Sequence, residues 1–113
     1  MSLEKILRIV TRETEVSLNE MKDKNRKRQK VEARMIASYM IKEFIPEMSL
    51  VAIGELFGGR DHSTIIHYLN KVEDLAFTDG PFFNKIEGIR KMIQSEFPKK
   101  VTFTWQWETN TTL

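Results

Sequence analysis

A glycine pair, Gly58-Gly59, stands between two apolar stripes of helical period, and this break constrains the chain more than any other feature. Before it, Leu50, Ile53, Leu56 and Phe57 line one face of a short helix that Ser49 is placed to cap. Two adjacent residues that tolerate positive φ then end that helix. After the break, Asp61 is placed to cap a second helix carrying Ile65, Leu69, Val72 and Ala76, with Ile66 and Leu75 widening its buried face. The chain must therefore turn sharply between two helices that share a core.

The remaining pattern is mostly helical. Leu3, Ile6, Leu7 and Val10 repeat at i, i+3, i+4 and i+7 behind a capping Ser2, which predicts a helix over 3–13. Ser17 and Glu20 form a capping box that opens a short helix. Lys22 to Lys30 has no apolar residue and reads as a solvated loop or a frayed helix end. From Val31 the stripe resumes through Met35, Ile36, Tyr39, Met40 and Phe44, and stops near Pro46, which cannot continue the ladder. Thr78-Asp79-Gly80 closes the second helix of the pair, and Pro81 suits the first turn of another carrying Phe82, Phe83, Ile86, Ile89, Ile93 and Phe97. Beyond Pro98, Val101, Phe103, Trp105 and Trp107 alternate with polar residues, the period of a half-buried strand. The expected fold is all-α: five or six helices over residues 1–98, with a core from the central, second-of-pair and Phe82–Phe97 helices, and an extended tail over 99–113.

At 113 residues, 41% of them hydrophobic, the chain has the size of one domain. Without cysteine it has no disulfide, thiolate site or cysteine nucleophile, which fits a reducing, cytoplasmic setting. His62 and His67 are too few for a zinc cluster and face different ways on a helix, so neither metal nor cofactor is expected. No stretch approaches the roughly 20 apolar residues of a membrane span. Asp61, His62 and Ser63 are the residue types of a hydrolase triad, but neighbours on one turn cannot line up as orienter, base and nucleophile, so no enzyme is expected.

The net charge of +2 hides a strong asymmetry. Residues 22–30 hold six Lys or Arg against one Asp, +5, so the rest of the chain sums to −3. A basic patch on an acidic body points to a local polyanion contact. A short helix, a glycine turn and a second helix opening on polar side chains is also the helix-turn-helix pattern, whose second helix enters the DNA major groove. At the start of that helix, Arg60 suits a phosphate, Asp61 a cytosine amino group, His62 and Ser63 base edges, and Thr64 a phosphate or a thymine methyl. Spacing alone leaves the plainer alternative open, with Asp61 a simple cap and His62 an exposed turn residue.

The run Gly58-Gly59-Arg60-Asp61-His62-Ser63-Thr64-Ile65 resembles the signature of the C-terminal DNA-binding domain of the bacterial replication initiator DnaA. The resemblance covers residues 26–75 and takes in Ser49-Leu50, Ile53-Gly54, Phe57, His67, Lys71, and Arg34, Ala37 and Lys42 of the central helix. It implies base contacts in the major groove from Asp61, His62 and Ser63, with Val51 standing where the family has proline. It implies phosphate contacts from Arg60, Thr64, Arg34, Lys42 and Lys71, and a minor-groove contact from Arg26. Lys27, Arg28 and Lys30 join the phosphate set or steer the encounter. The sequence departs from the family's pattern at Ser63 for threonine, at Val51 and Ala33 for prolines, and by one extra residue near Pro46.

The resemblance thus implies sequence-specific binding to duplex DNA by a nucleoid-associated, bacterial or phage-encoded protein. The chain has no Gly-x-x-x-x-Gly-Lys-Ser/Thr run for an ATPase. Two roles remain open: a replication accessory or occluding factor, and a small transcriptional regulator. A third reading, from another class, is a protein-interaction adaptor that kept the fold without DNA binding. The 101–107 tail either folds back on the core or pairs with another copy or a partner.

Overall fold

The computed structural model describes residues 2–96. Among them are six helices: α1 (Leu3–Thr14), α2 (Leu18–Lys22), α3 (Arg28–Phe44), α4 (Leu50–Leu56), α5 (His62–Thr78) and α6 (Gly80–Glu96). The expected tail, with Phe97 and the alternating Val101 to Trp107, lies outside the described residues. No helix among them is long and apolar enough to cross a membrane.

The starts of three helices follow from side chains next to orphan amides. Ser2 Oγ accepts from the Lys5 N–H at 3.3 Å and Ser49 Oγ from the Ala52 N–H at 3.0 Å. At Ser17 and Glu20 both halves of the capping box are present. The Ser17 N–H, donated to the Glu20 carboxylate, holds that group below the usual carboxylate range.

The central helix begins at Arg28, one turn earlier than its apolar stripe suggests. Its entry is set by Asn25, whose Oδ1 accepts from the Lys27 N–H at 2.7 Å, a local turn that a search for apolar period does not see. The junction of α5 and α6 also differs. Gly80 opens α6 instead of ending α5, and the single residue between them, Asp79, accepts the Phe82 N–H on Oδ1 at 3.1 Å.

α3 lies at the centre, packed against α1, α2 and α5, while α5 also contacts α4 and α6, and α6 returns to α1. The core is larger than the three expected helices provide, because α1 adds Ile6, Ile9 and Val10 to Ile36, Met40 and Ile41 of α3, Ile65 and Val72 of α5, and Ile86 and Ile93 of α6. Phe57 is wholly buried at the end of α4; removing such a side chain from water is worth about 1.5–3 kcal/mol. That burial fixes where the following turn begins. Two expected core residues are outside: Ile66 is 41% exposed and Phe83 46%. Each neighbours a buried residue, Ile65 or Phe82, and one step along a helix turns a side chain to another face.

Candidate nucleic-acid interface

The turn between α4 and α5 is built on three glycines. Gly58 and Gly59 have φ of 86° and 81°, the left-handed region expected of them. The third was not singled out by the turn pattern. The Gly54 carbonyl accepts from the N–H groups of Gly59 at 3.1 Å and Arg60 at 2.8 Å, and a Cβ on Gly54 would collide with the Arg60 carbonyl. Gly58 is closed in a different way, since a Cβ there would run into the carbonyl of Lys22 at the end of α2. The turn therefore touches both its own first helix and the loop that carries the basic run.

Asp61, His62 and Ser63 follow the turn at the start of α5, all exposed, with Thr64 half-buried behind them. Asp61 occupies the N-cap position but does not cap. Its Oδ2 accepts from Ser63 Oγ at 2.9 Å, and its Oδ1 lies 3.3 Å from His62 Nδ1. The Ser63 hydroxyl, joined by hydrogen bonding from His62, keeps the Asp61 carboxyl below its usual range. An ionised acceptor, a hydroxyl and an imidazole thus stand together at the open end of the helix. Val51, on α4, is 56% exposed, and His67 is a surface residue.

The basic residues divide into two groups. Arg26, Lys27 and Arg28 are exposed at the entry of α3, and Lys71 is exposed on α5. The others are engaged. Arg34, expected on a phosphate, is 2% exposed. It donates from Nε to the Met21 carbonyl at 2.6 Å and from Nη2 to those of Asp23 at 2.8 Å and Asn25 at 2.7 Å. The physical reason for this burial is position: Arg34 is on the face of α3 that meets α2, where loop carbonyls lack amide partners and a forked donor supplies them. Arg60 donates to Asp23 O at 2.8 Å and to Phe57 O, and reaches Met21 O at 3.5 Å. Lys30 turns back to Asp23 at 3.7 Å with 18% of its side chain exposed. Lys42 donates to the carbonyls of Pro46 and Met48 at 2.9 and 3.0 Å, which closes the loop leading to α4 and leaves one of three ammonium protons free.

Two open clefts gather most of these groups. One, of about 620 Å³, is lined by Lys24, Asn25, Arg26, Val31, Arg34, Arg60, Thr64 and Tyr68. Four cations and no carboxylate line it, so its potential favours an anion. The other, of about 600 Å³, has Arg26, Arg28, Lys71 and Lys85 on its walls with Glu32 and Asp79. Lys85 is held by Glu32 at 3.3 Å. Lys27, Lys30, Lys42 and Val51 line neither. Lys24, Tyr68 and Lys85 are additions; Lys24 was legible as part of the +5 run, whereas Lys85 comes near Arg28 only through the packing of α6.

A family described as the bacterial DnaA protein helix-turn-helix matches residues 3–72. The chromosomal replication initiator protein DnaA of Mesorhizobium japonicum is 39% identical over 94 residues, 83% of this chain and 19% of that protein. The DnaA of Brucella abortus is 37% identical over 94 residues, with the same coverage. That of Agrobacterium fabrum is 40% identical over 91 residues, covering 80% of this chain and 18% of its own length. The chain thus spans about a fifth of the length of the curated relatives it matches. The chain belongs to the bacterial DnaA helix-turn-helix family, and a helix-turn-helix is a DNA-binding motif.

Proposed function

We propose that this chain binds duplex DNA in a sequence-specific way, at sites of the kind its initiator relatives read, as an accessory or occluding factor in replication. In this reading the N-terminal turn of α5 enters the major groove, where Asp61, His62 and Ser63 meet base edges with Val51 beside them. Arg26 reaches the adjacent minor groove. Arg60, Thr64, Lys27, Arg28, Lys71 and the free proton of Lys42 serve phosphates. The observation that carries the reading is the exposed Asp61–Ser63 group beside a cleft with four cations and no lining carboxylate.

Selection of bound duplexes from a random pool tests it. The expected result is enrichment of one short motif; enrichment of none supports an adaptor that kept only the fold. With that motif in hand, Asp61→Ala relaxes preference at one base pair by about 1–3 kcal/mol. Lys71→Ala weakens all sequences alike and lowers the salt slope by about one. Footprints over an origin support the replication role, and footprints over the protein's own promoter alone replace it with transcriptional regulation.

A further inference from the structure

Two arginines from different elements converge on the same short stretch of backbone. Arg34 of α3 and Arg60 of the turn both donate to the carbonyls of Met21 and Asp23, and Arg34 adds that of Asn25. Gly58 rests against the carbonyl between them, that of Lys22. These carbonyls end α2 and begin the basic loop, and the last residues of a helix have no amides of their own to meet them. Two guanidinium forks and a bare glycine face this stretch. The carboxylate of Asp23 is turned away to Lys30.

We infer that Arg34 is a positioning residue: with Arg60 and Gly58 it locks the basic loop onto the helix-turn-helix, so that Arg26 and the start of α5 meet DNA as one rigid surface. This rests on the DNA-binding reading above and departs from it in one respect, since Arg34 touches no phosphate. The geometry requires a planar fork. Nε and Nη2 reach three carbonyls from one side chain, a pattern that the single ammonium of lysine cannot copy although it keeps the charge. A phosphate ligand, by contrast, would tolerate lysine.

The test is a double-mutant cycle on the whole chain with the selected duplex: Arg34→Lys, Arg26→Ala and the pair, with circular dichroism to confirm the fold. Positioning predicts that Arg34→Lys lowers affinity about tenfold in the native background and less than about twofold when Arg26 is already alanine. It also predicts lost preference at the base pairs Arg26 reads, while those read by Asp61 are kept. Near-native affinity for Arg34→Lys, or equal losses in both backgrounds, overturns the inference and leaves DNA binding intact. Should the unmodified chain bind no duplex, both readings fall.

If Arg34→Lys does not fold, the glycines carry the test. Gly58→Ala and Gly59→Ala share the backbone strain of positive φ, but only the first pushes on Lys22. Most of the affinity lost in Gly58→Ala should then vanish in the Arg26→Ala background, and the loss in Gly59→Ala should not. Equal behaviour of the two glycines overturns the inference.

Discussion

Arginine pins the central helix at two corners, and the two corners differ in what becomes of the charge. Near the end of α3, Arg90 of α6 grips Glu43 with Nε and Nη2 at 2.7 and 2.9 Å and also bonds Glu87. The Glu43 hydrogen bonds push its proton affinity up. Two carboxylates around one guanidinium leave that corner with a formal charge of −1. Near the start of α3, Arg34 and Arg60 are satisfied by backbone carbonyls, which fill their donors without cancelling their charge. The helices are tied together in both places. Only the second corner keeps a positive field for use outside the fold, and it is the corner next to Asp61, His62 and Ser63.

The sharpest way to break the second corner is at Gly54, whose carbonyl holds the Arg60 N–H and whose missing Cβ makes room for the Arg60 carbonyl. Gly54→Ala should cost about 4 kcal/mol of folding stability, because the atom it meets is backbone and cannot swing aside. Urea denaturation measures this, and a loss under about 1 kcal/mol would mean the turn is looser than described.

The two arginines can be set against each other. Arg34→Met leaves the buried fork's Asn25 carbonyl without its donor, takes one of two donors from those of Met21 and Asp23, and should cost about 3 kcal/mol. Arg90→Met loses a partly exposed ion pair and should cost about 1 kcal/mol after allowance for solvent screening. Thermal melts with matching calorimetric enthalpies rank them, and the reverse order would sink the contrast drawn between the corners. Arg90→Met should also leave DNA affinity unchanged.

The smallest effect concerns acid. Glu20 titrates below its ordinary range because the Ser17 N–H binds the ionised form. Its contribution is therefore complete above its unfolded pKa and is lost as pH falls through the lower folded value. Glu20→Gln keeps an acceptor without the titration, so its stability should fall less between neutral pH and strong acid. An identical acid profile would show that the capping box contributes nothing pH-dependent.

Much of the fold was legible because caps and apolar period agree: Ser2 and Ser49 each stand at the start of a stripe that the structure buries, and the Ser17 capping box opens the helix it was expected to. The turn at Gly58 and Gly59 was legible for a different reason, since two left-handed positions in a row admit little besides glycine. Arg34 was placed on a phosphate by the resemblance alone, and its burial came only with the fold. Yet it shares a face with Val31, Ser38 and Ile41 at helical spacing, the one local sign that it points inward. Asp61 could cap or pair with Ser63, both being within reach of a short carboxylate, and only the folded geometry distinguishes them. The approach of Lys85 to Arg28 and Lys71 depends on α6 folding back, which no local pattern encodes.

The three carbonyl bonds of Arg34, with the Asn25 turn, also bear on the thermodynamics of binding. A basic loop free in solution would give up about 1–2 kcal/mol of backbone entropy per residue on meeting its target. Here residues 23–27 have already met that cost during folding, so association is a docking of preformed surfaces. Its heat-capacity change should match the contact area alone, without the larger negative value of a segment that folds as it binds.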